Sequence, residues 1–175
     1  MLVIGREKTE PVKRGARGEA SIGISSTPET VYELVTDVTR MGEWSPETVS
    51  GQWIDGAVGP VVGARFKGVN QHGKARWSTK PRVVAADPGH EFAFVVPHLG
   101  RDITRWSYRF VPDGTGTTVT ESFELLENVP WYLVLGDRLL GITDRKGDLE
   151  SDMRRTLERV KAAVEAGSAA ENASG

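Results

Sequence analysis

Residues 102–110 read DITRWSYRF, and from Arg105 onward polar and aromatic side chains alternate without interruption. One set consists of Trp106, Tyr108 and Phe110, and the other of Arg105, Ser107 and Arg109. Successive side chains of a β-strand point to opposite faces of its sheet. The stretch therefore predicts a strand with one aromatic face and one solvated face, as in an antiparallel sheet that covers a core on one side.

The surrounding sequence predicts further strands of the same kind. Alternating segments occur at 65–71, 75–84, 91–96 and 117–125, and two earlier strands are predicted at 19–24 and 48–54. The turns between the late strands carry Gly beside Asp or His, as in Asp87-Pro88-Gly89. Gly supplies the positive φ that such turns need, and Asp hydrogen-bonds within its own turn. Short turns between successive strands imply an antiparallel meander.

Helical segments flank these strands. Ser26-Thr27-Pro28-Glu29 combines the hydroxyl, proline and acid that start a helix, and Thr39–Pro46 predicts a short second helix or a turn. Near the C-terminus apolar side chains recur every three to four residues, which is typical of an amphipathic helix. They are Leu149, Met153, Leu157, Val160 and Val164. Such a helix can close over the aromatic face of a curved sheet and enclose a cavity.

Length and composition favour one globular domain, since the chain has 175 residues, of which 38% are hydrophobic. We expect a flexible N-terminal arm at residues 1–17, a single ligand-binding domain at 18–166 and a disordered tail at 167–175. The net charge of −2 argues against nucleic-acid binding, and the absence of Cys excludes disulfides and thiolate sites. No signal peptide or integral membrane segment is recognisable, so we expect a cytoplasmic protein.

The order of these elements resembles the helix-grip fold of the START-like (SRPBCC) superfamily, and within it the polyketide cyclase/dehydrase-type proteins. The matching motifs are STPETVY at 26–32, DV at 37–38, WSP at 44–46, GARFKG at 63–68, WSYRF at 106–110 and GTTVTE at 116–121. The resemblance covers residues 18–165. It implies an α+β fold: a curved antiparallel sheet of about six to seven strands wrapped on a long C-terminal helix, with two short helices after the first strand. It is weak for activity, because many members resemble plain binders or carriers of apolar molecules.

Strand parity identifies side chains that would line the cavity. If Trp106 and Tyr108 face inward, the alternate residues of the neighbouring strands do so too. The candidate ligand-binding residues are Trp44, Phe66, Asn70, Trp77, Phe92, Phe94, Trp106, Tyr108, Glu121, Phe123, Trp131, Met153 and Leu157. Trp44 resembles a position that covers the cavity in the family and could equally be a packing residue, whereas packing is the favoured role for Trp77, Trp106 and Trp131. Asn70 could anchor a ligand oxygen or could simply end its strand.

Glu121 is the ionisable member of this wall. A carboxyl group between apolar neighbours on an inward face is desolvated, which raises its pKa and makes it a candidate general acid or base. Two other arrangements remain open. Glu121 could pair with Arg76, Arg105 or an indole N–H and only order the interior, or a bulge could turn it out to water. Tyr108 is the second candidate for acid–base chemistry.

Three functions are compatible with these residues. The first is binding or carriage of a small hydrophobic molecule, such as a lipid, polyketide or aromatic metabolite, in the internal cavity. The second is a polyketide cyclase or aromatase that uses Glu121 or Tyr108. The third is a toxin-like or regulatory protein that acts through a partner surface. The first is favoured because the predicted wall is rich in rings and poor in paired acid–base groups. No cofactor or metal site is predicted, and a monomer and a homodimer both remain open.

Overall fold

One antiparallel sheet and a long C-terminal helix dominate the structure, a computed structural model that describes residues 13–130, 132–134 and 145–173. Its elements follow the predicted order of one strand, two short helices, a series of strands and a long helix. They are β1 Arg17–Ile24, α1 Pro28–Thr36, a 3₁₀ turn Val38–Arg40, α2 Met41–Trp44, β2 Thr48–Ile54, β3 Arg65–His72, β4 Ala75–Thr79, β5 Arg82–Asp87, β6 Glu91–His98, β7 Arg101–Asp113, β8 Gly116–Leu125 and α3 Arg145–Ala173.

The strands form a single sheet in the order β1-β8-β7-β6-β5-β3-β2, and β4 pairs with β3 beside this path. Every pairing is antiparallel, as the short turns predict. The sheet curls into a half-barrel, and with α3 it forms the predicted helix-grip fold. Its concave face therefore looks toward the helix.

One predicted strand is wrong in its extent. The sequence pattern predicts a single strand over 75–84, whereas the structure has β4 and β5 with a break at Lys80 and Pro81. Proline has no N–H to donate to a neighbouring strand, so it interrupts the ladder. Only the Pro81 carbonyl takes part, accepting from the Phe66 N–H at 3.2 Å. The break lets β4 pair with β3 while β5 pairs with β6.

Helix α3 packs along β1 and presents the predicted apolar stripe to the interior. Lys161 Nζ donates to the Gly23 carbonyl at 2.8 Å, and Glu165 Oε1 accepts from the Ser25 N–H at 3.0 Å. These contacts fix the helix beside the end of β1. The helix reaches Ala173, beyond Gly167 where the sequence predicted the tail to begin. Alanine is the strongest helix former, and this last stretch is rich in it.

Helix α1 begins as its start signal predicts. The Thr27 side chain accepts from the Thr30 N–H, and Pro28 occupies the first turn. The helix buries Tyr32, whose ring meets Phe110 edge-on at 5.6 Å. Among the described residues, no helix is long and apolar enough to cross a bilayer.

Candidate ligand-binding site

A band of inward-facing rings crosses the concave face of the sheet. The ring centroids of Trp53 and Phe66 are 5.7 Å apart, and those of Phe66 and Phe94 are 5.2 Å apart. Phe94 lies opposite Trp106 in the β6–β7 register, and Trp106 contacts Phe123 at 5.7 Å. Such contacts between aromatic rings add to the stabilisation that burial provides. The band gives the interior an apolar, ring-rich wall that spans β2, β3, β6, β7 and β8.

The inward parity deduced from the sequence agrees with burial in the structure. The candidate residues that are buried are Trp44, Phe66, Phe92, Phe94, Tyr108, Glu121, Phe123, Met153 and Leu157. Trp106 lies on the same face but is only half-buried. Apart from Glu121, these side chains belong to one continuous hydrophobic core or pack against it, so the structure brings most of the predicted wall together.

Glu121 and Tyr108 form the polar pair within this wall. They lie directly opposite each other on β8 and β7, and the Tyr108 hydroxyl donates to Glu121 Oε1 at 2.6 Å. Their side chains are 4% and 5% exposed, so the interpretation in which a bulge exposes Glu121 is wrong. Pairing with Arg105 is also wrong, because that guanidinium donates to Glu91 on the outer face at 3.0 Å. Among the described residues, Glu121 Oε2 has no hydrogen-bond partner.

The environment of Glu121 favours its neutral form. Burial raises the pKa of Glu121 to about 8, although the hydrogen bond from Tyr108 opposes this rise and the charge of Asp152 adds to it. The same burial raises the pKa of the Tyr108 hydroxyl well above its ordinary value. Both groups are therefore protonated at neutral pH. Since Tyr108 donates to Oε1, the carboxyl proton resides on Oε2, where it has no acceptor among the described residues.

Asp152 is a residue of this site that the sequence reasoning missed. It lies on α3 beside Met153, with a side chain that is 21% exposed and paired with Arg155. Its negative charge disfavours ionisation of Glu121. A signal was available in the sequence. Asp152 stands three residues after Leu149 and one before Met153, at the border of the apolar stripe.

Three other candidates occupy different surroundings. Asn70 Oδ1 accepts from the Thr48 hydroxyl at 2.8 Å, and its amide lies 3.4 Å from the Thr79 hydroxyl, so neighbouring strands satisfy it. Trp77 is opposite Asn70 but is 36% exposed, because β4 is a short strand beside the main path of the sheet. Trp131 lies outside the described residues.

Trp44 is a buried residue of α2. Its side chain is 2% exposed, and the Arg40 guanidinium lies 5.8 Å from the centre of its ring. The Trp44 carbonyl also accepts from Arg159 on α3 at 3.4 Å. These contacts join α2 to α3 and close the interior at this point.

A separate concavity of about 500 Å³ lies on the outer face of the sheet. Its lining includes two small side chains, Ser107 and Ser122, which lie opposite each other in the register of β7 and β8. Its sides include the ion pairs Arg105–Glu91 at 3.0 Å and Arg17–Glu124 at 2.6 Å. This polar trough is therefore distinct from the predicted interior cavity. In the described part of the chain, no cluster of three or more His, Cys, Asp or Glu could hold a metal ion.

The fold and this ring-lined interior define a helix-grip protein. The family model described as "Polyketide cyclase / dehydrase and lipid transport" matches residues 16–165, which is most of the chain. The chain therefore belongs to that family. No curated protein matches its sequence.

Solved structures share this fold. The di-domain ARO/CYC StfQ of the steffimycin biosynthetic pathway superposes with a TM-score of 0.68 at 15% identity, covering 87% of this chain and 51% of that chain. This chain thus spans about half the length of StfQ. The major latex-like protein 151 of Panax ginseng has a TM-score of 0.64 at 17% identity, covering 85% of this chain and 96% of that chain. A polyketide cyclase-like protein of Corynebacterium glutamicum is 33% identical, with a TM-score of 0.48, covering 87% of this chain and 86% of that chain.

Proposed function

We propose that this protein binds a small hydrophobic molecule between the concave face of the sheet and α3, and that Glu121 supplies its polar contact. The observation that carries the proposal is that Glu121 Oε2, inside an otherwise ring-lined interior, has no hydrogen-bond partner in the described part of the chain. Buried polar atoms are nearly always hydrogen-bonded, so such an atom calls for an explanation. A bound molecule with a suitable oxygen would complete the set of hydrogen bonds.

Incomplete cover over the inner face gives such a molecule a way in. Trp106 lies in the middle of the sheet and faces inward, yet it is only half-buried, and so are Trp53 and Val96. The neighbouring Phe66 and Phe123 are 1% and 2% exposed. Access beside Trp106 would bring an apolar molecule against the aromatic band and toward the Tyr108–Glu121 pair. The buried side chains must shift to make room, and changes of side-chain rotamer are common on binding.

A polyketide cyclase or aromatase is the second candidate, and one observation favours it. A carboxyl group whose pKa is about 8 holds its proton at neutral pH and can still release it, as a general acid–base catalyst must. The structural relative StfQ is itself a di-domain ARO/CYC. Against this candidate, Tyr108 is the only polar side chain hydrogen-bonded to Glu121 in the described interior. Cyclisation of a polyketide chain usually requires more than one acid–base group.

Native mass spectrometry of the protein purified from its own host tests the proposal directly. We expect a co-purifying adduct of a few hundred daltons that is lost on denaturation. The matched variants are Glu121→Gln, in the interior, and Glu124→Gln, three residues along β8 on the outer face. The wild type and Glu124→Gln should carry the same adduct. A protein that carries no adduct, and that binds none of the fractions of a host lipid extract, would refute ligand binding.

The Glu121→Gln variant then separates the two candidates. A binder should keep its affinity for the isolated molecule within a few-fold, because the amide can still donate a hydrogen bond. An enzyme should lose roughly 10²-fold or more in the rate at which that molecule is converted, because the amide cannot exchange a proton. Glu124→Gln should leave both quantities unchanged.

A further inference from the structure

Within the described ranges, the buried polar side chains carry no positive charge. Among the described residues, the buried side chains with polar atoms are Thr36, Asn70, Thr117, Glu121 and Thr156, together with Tyr32 and Tyr108. None of them is Lys, Arg or His. The charge that influences the pKa of Glu121 is the negative charge of Asp152. A negatively charged ligand group beside Glu121 would thus be buried near the charge of Asp152, and no buried cation among the described side chains would offset it, which is unfavourable.

Two buried polar atoms point to the complementary ligand chemistry. They are Glu121 Oε2 and the Tyr32 hydroxyl, and neither has a hydrogen-bond partner in the described part of the chain. Burial keeps both groups protonated, so each can donate one hydrogen bond and neither brings a charge. A ligand oxygen that only accepts would satisfy Glu121, because Oε1 is already occupied by Tyr108.

We infer that the ligand is an uncharged molecule with an apolar ring body and a carbonyl oxygen that accepts a hydrogen bond from Glu121, and that free fatty acids and other anions are rejected. This inference rests on the proposed function and narrows its ligand class. It favours neutral aromatic ketones over anionic lipids.

Three naphthalenes of nearly equal size test the inference. They are 2-acetylnaphthalene, which has a neutral carbonyl acceptor, 2-ethylnaphthalene, which has no oxygen, and 2-naphthoate, which is an anion. Dissociation constants would be measured at pH 6.5, where Glu121 is protonated, by isothermal calorimetry or by quenching of Trp fluorescence. We expect the ketone to bind about 10-fold more tightly than the ethyl compound, since it gains one hydrogen bond. We expect the naphthoate to bind at least about 100-fold more weakly than the ketone.

Variants and pH assign the preference to Glu121. The double variant Y108F/E121L removes both hydrogen-bonding partners at once, so it leaves neither group unpaired and should abolish the preference for the ketone. Glu121→Gln keeps a hydrogen-bond donor and should retain the preference for the ketone. Raising the pH from 6.5 to 9.5 should erase the preference in the wild type, because ionised Glu121 can no longer donate, but not in Glu121→Gln.

The outcomes separate failure of the inference from failure of the proposed function. Equal binding of the ketone and the ethyl compound, or binding of the naphthoate as tight as that of the ketone, overturns the inference and leaves a binding site in place. If none of the three naphthalenes binds and no host molecule co-purifies, the proposed function fails, and the inference fails with it. The comparison of ligands on the wild type decides the matter even if the double variant does not fold.

Discussion

Ionisation of Glu121 should make the stability of the fold depend strongly on pH. The pKa of Glu121 rises from an ordinary 4.5 to about 8 in the folded protein, chiefly through burial. A group with a raised pKa binds its proton in the folded state at a pH where the unfolded chain has released it. The contribution of Glu121 to the free energy of unfolding is therefore fully present below pH 4.5. It declines as the pH rises toward 8 and declines no further above that value.

The magnitude follows from the difference between the two pKa values. Each pKa unit corresponds to about 1.4 kcal/mol, so the whole decline amounts to about 5 kcal/mol. Between pH 5 and pH 9, where measurement is practical, the decline is about 4 kcal/mol. Folded domains are stable by only about 5–15 kcal/mol, so a loss of this size is easily detected.

Urea unfolding followed by Trp fluorescence, at half-unit steps from pH 5 to pH 9, measures the free energy of unfolding at each pH. Glu121→Gln cannot ionise, so the difference between wild type and variant should change by about 4 kcal/mol across the series. Any constant effect of the amide on stability drops out of this comparison. Glu124→Gln should run parallel to the wild type, since Glu124 forms a surface ion pair with Arg17. Parallel curves for the wild type and Glu121→Gln would refute the buried, protonated state of this carboxyl.

Two further predictions concern the surroundings of the site and the sheet. Asp152→Asn removes a negative charge that disfavours ionisation of Glu121. The stability of this variant should therefore level off at a lower pH than that of the wild type. An unchanged pH profile would contradict this coupling. Gly51→Ala should destabilise the protein by about 1–3 kcal/mol in urea unfolding, because its methyl group would collide with the Val38 carbonyl oxygen. The matched change Gly23→Ala, also in a strand but with nothing within 4 Å of the new methyl group, should cost less than about 0.5 kcal/mol.

The faces of the central strands could be predicted because the two-residue period of a strand is strict. Once Trp106 and Tyr108 are assigned to the interior, register carries the assignment to Phe94 on β6 and to Glu121 and Phe123 on β8. The same reasoning fails where the ladder breaks. It continued one strand through Pro81, although a missing N–H ends the pairing there.

The partner of Glu121 could not be predicted from alternation alone. Parity says which face a side chain occupies, but the pairing of Tyr108 with Glu121 depends on how far β7 and β8 slide past each other. Parity also does not predict how exposed a side chain at the margin of the sheet is. Trp77 shares a face with Asn70 yet is 36% exposed, because β4 lies beside the main path of the sheet. The effect of Asp152 depends on where α3 packs, which periodicity does not specify.

The choice of a carboxyl group at position 121 bears on what the interior does. If its only task were to accept the hydrogen bond from Tyr108, a glutamine would fill nearly the same volume and accept the same bond through its carbonyl oxygen. It would also avoid the loss of about 5 kcal/mol that ionisation of a buried carboxyl causes as the pH rises. A carboxyl group differs from that amide in one respect that chemistry can use, which is a proton that leaves and returns near neutral pH. If Glu121→Gln retains the preference for ketones, binding needs only a hydrogen-bond donor. The carboxyl group would then make binding depend on pH and would contribute nothing else to it. The second candidate would be correct if the wild type converts its co-purifying molecule while Glu121→Gln binds that molecule with the same affinity and does not convert it. That result would show that the proton of Glu121 is transferred.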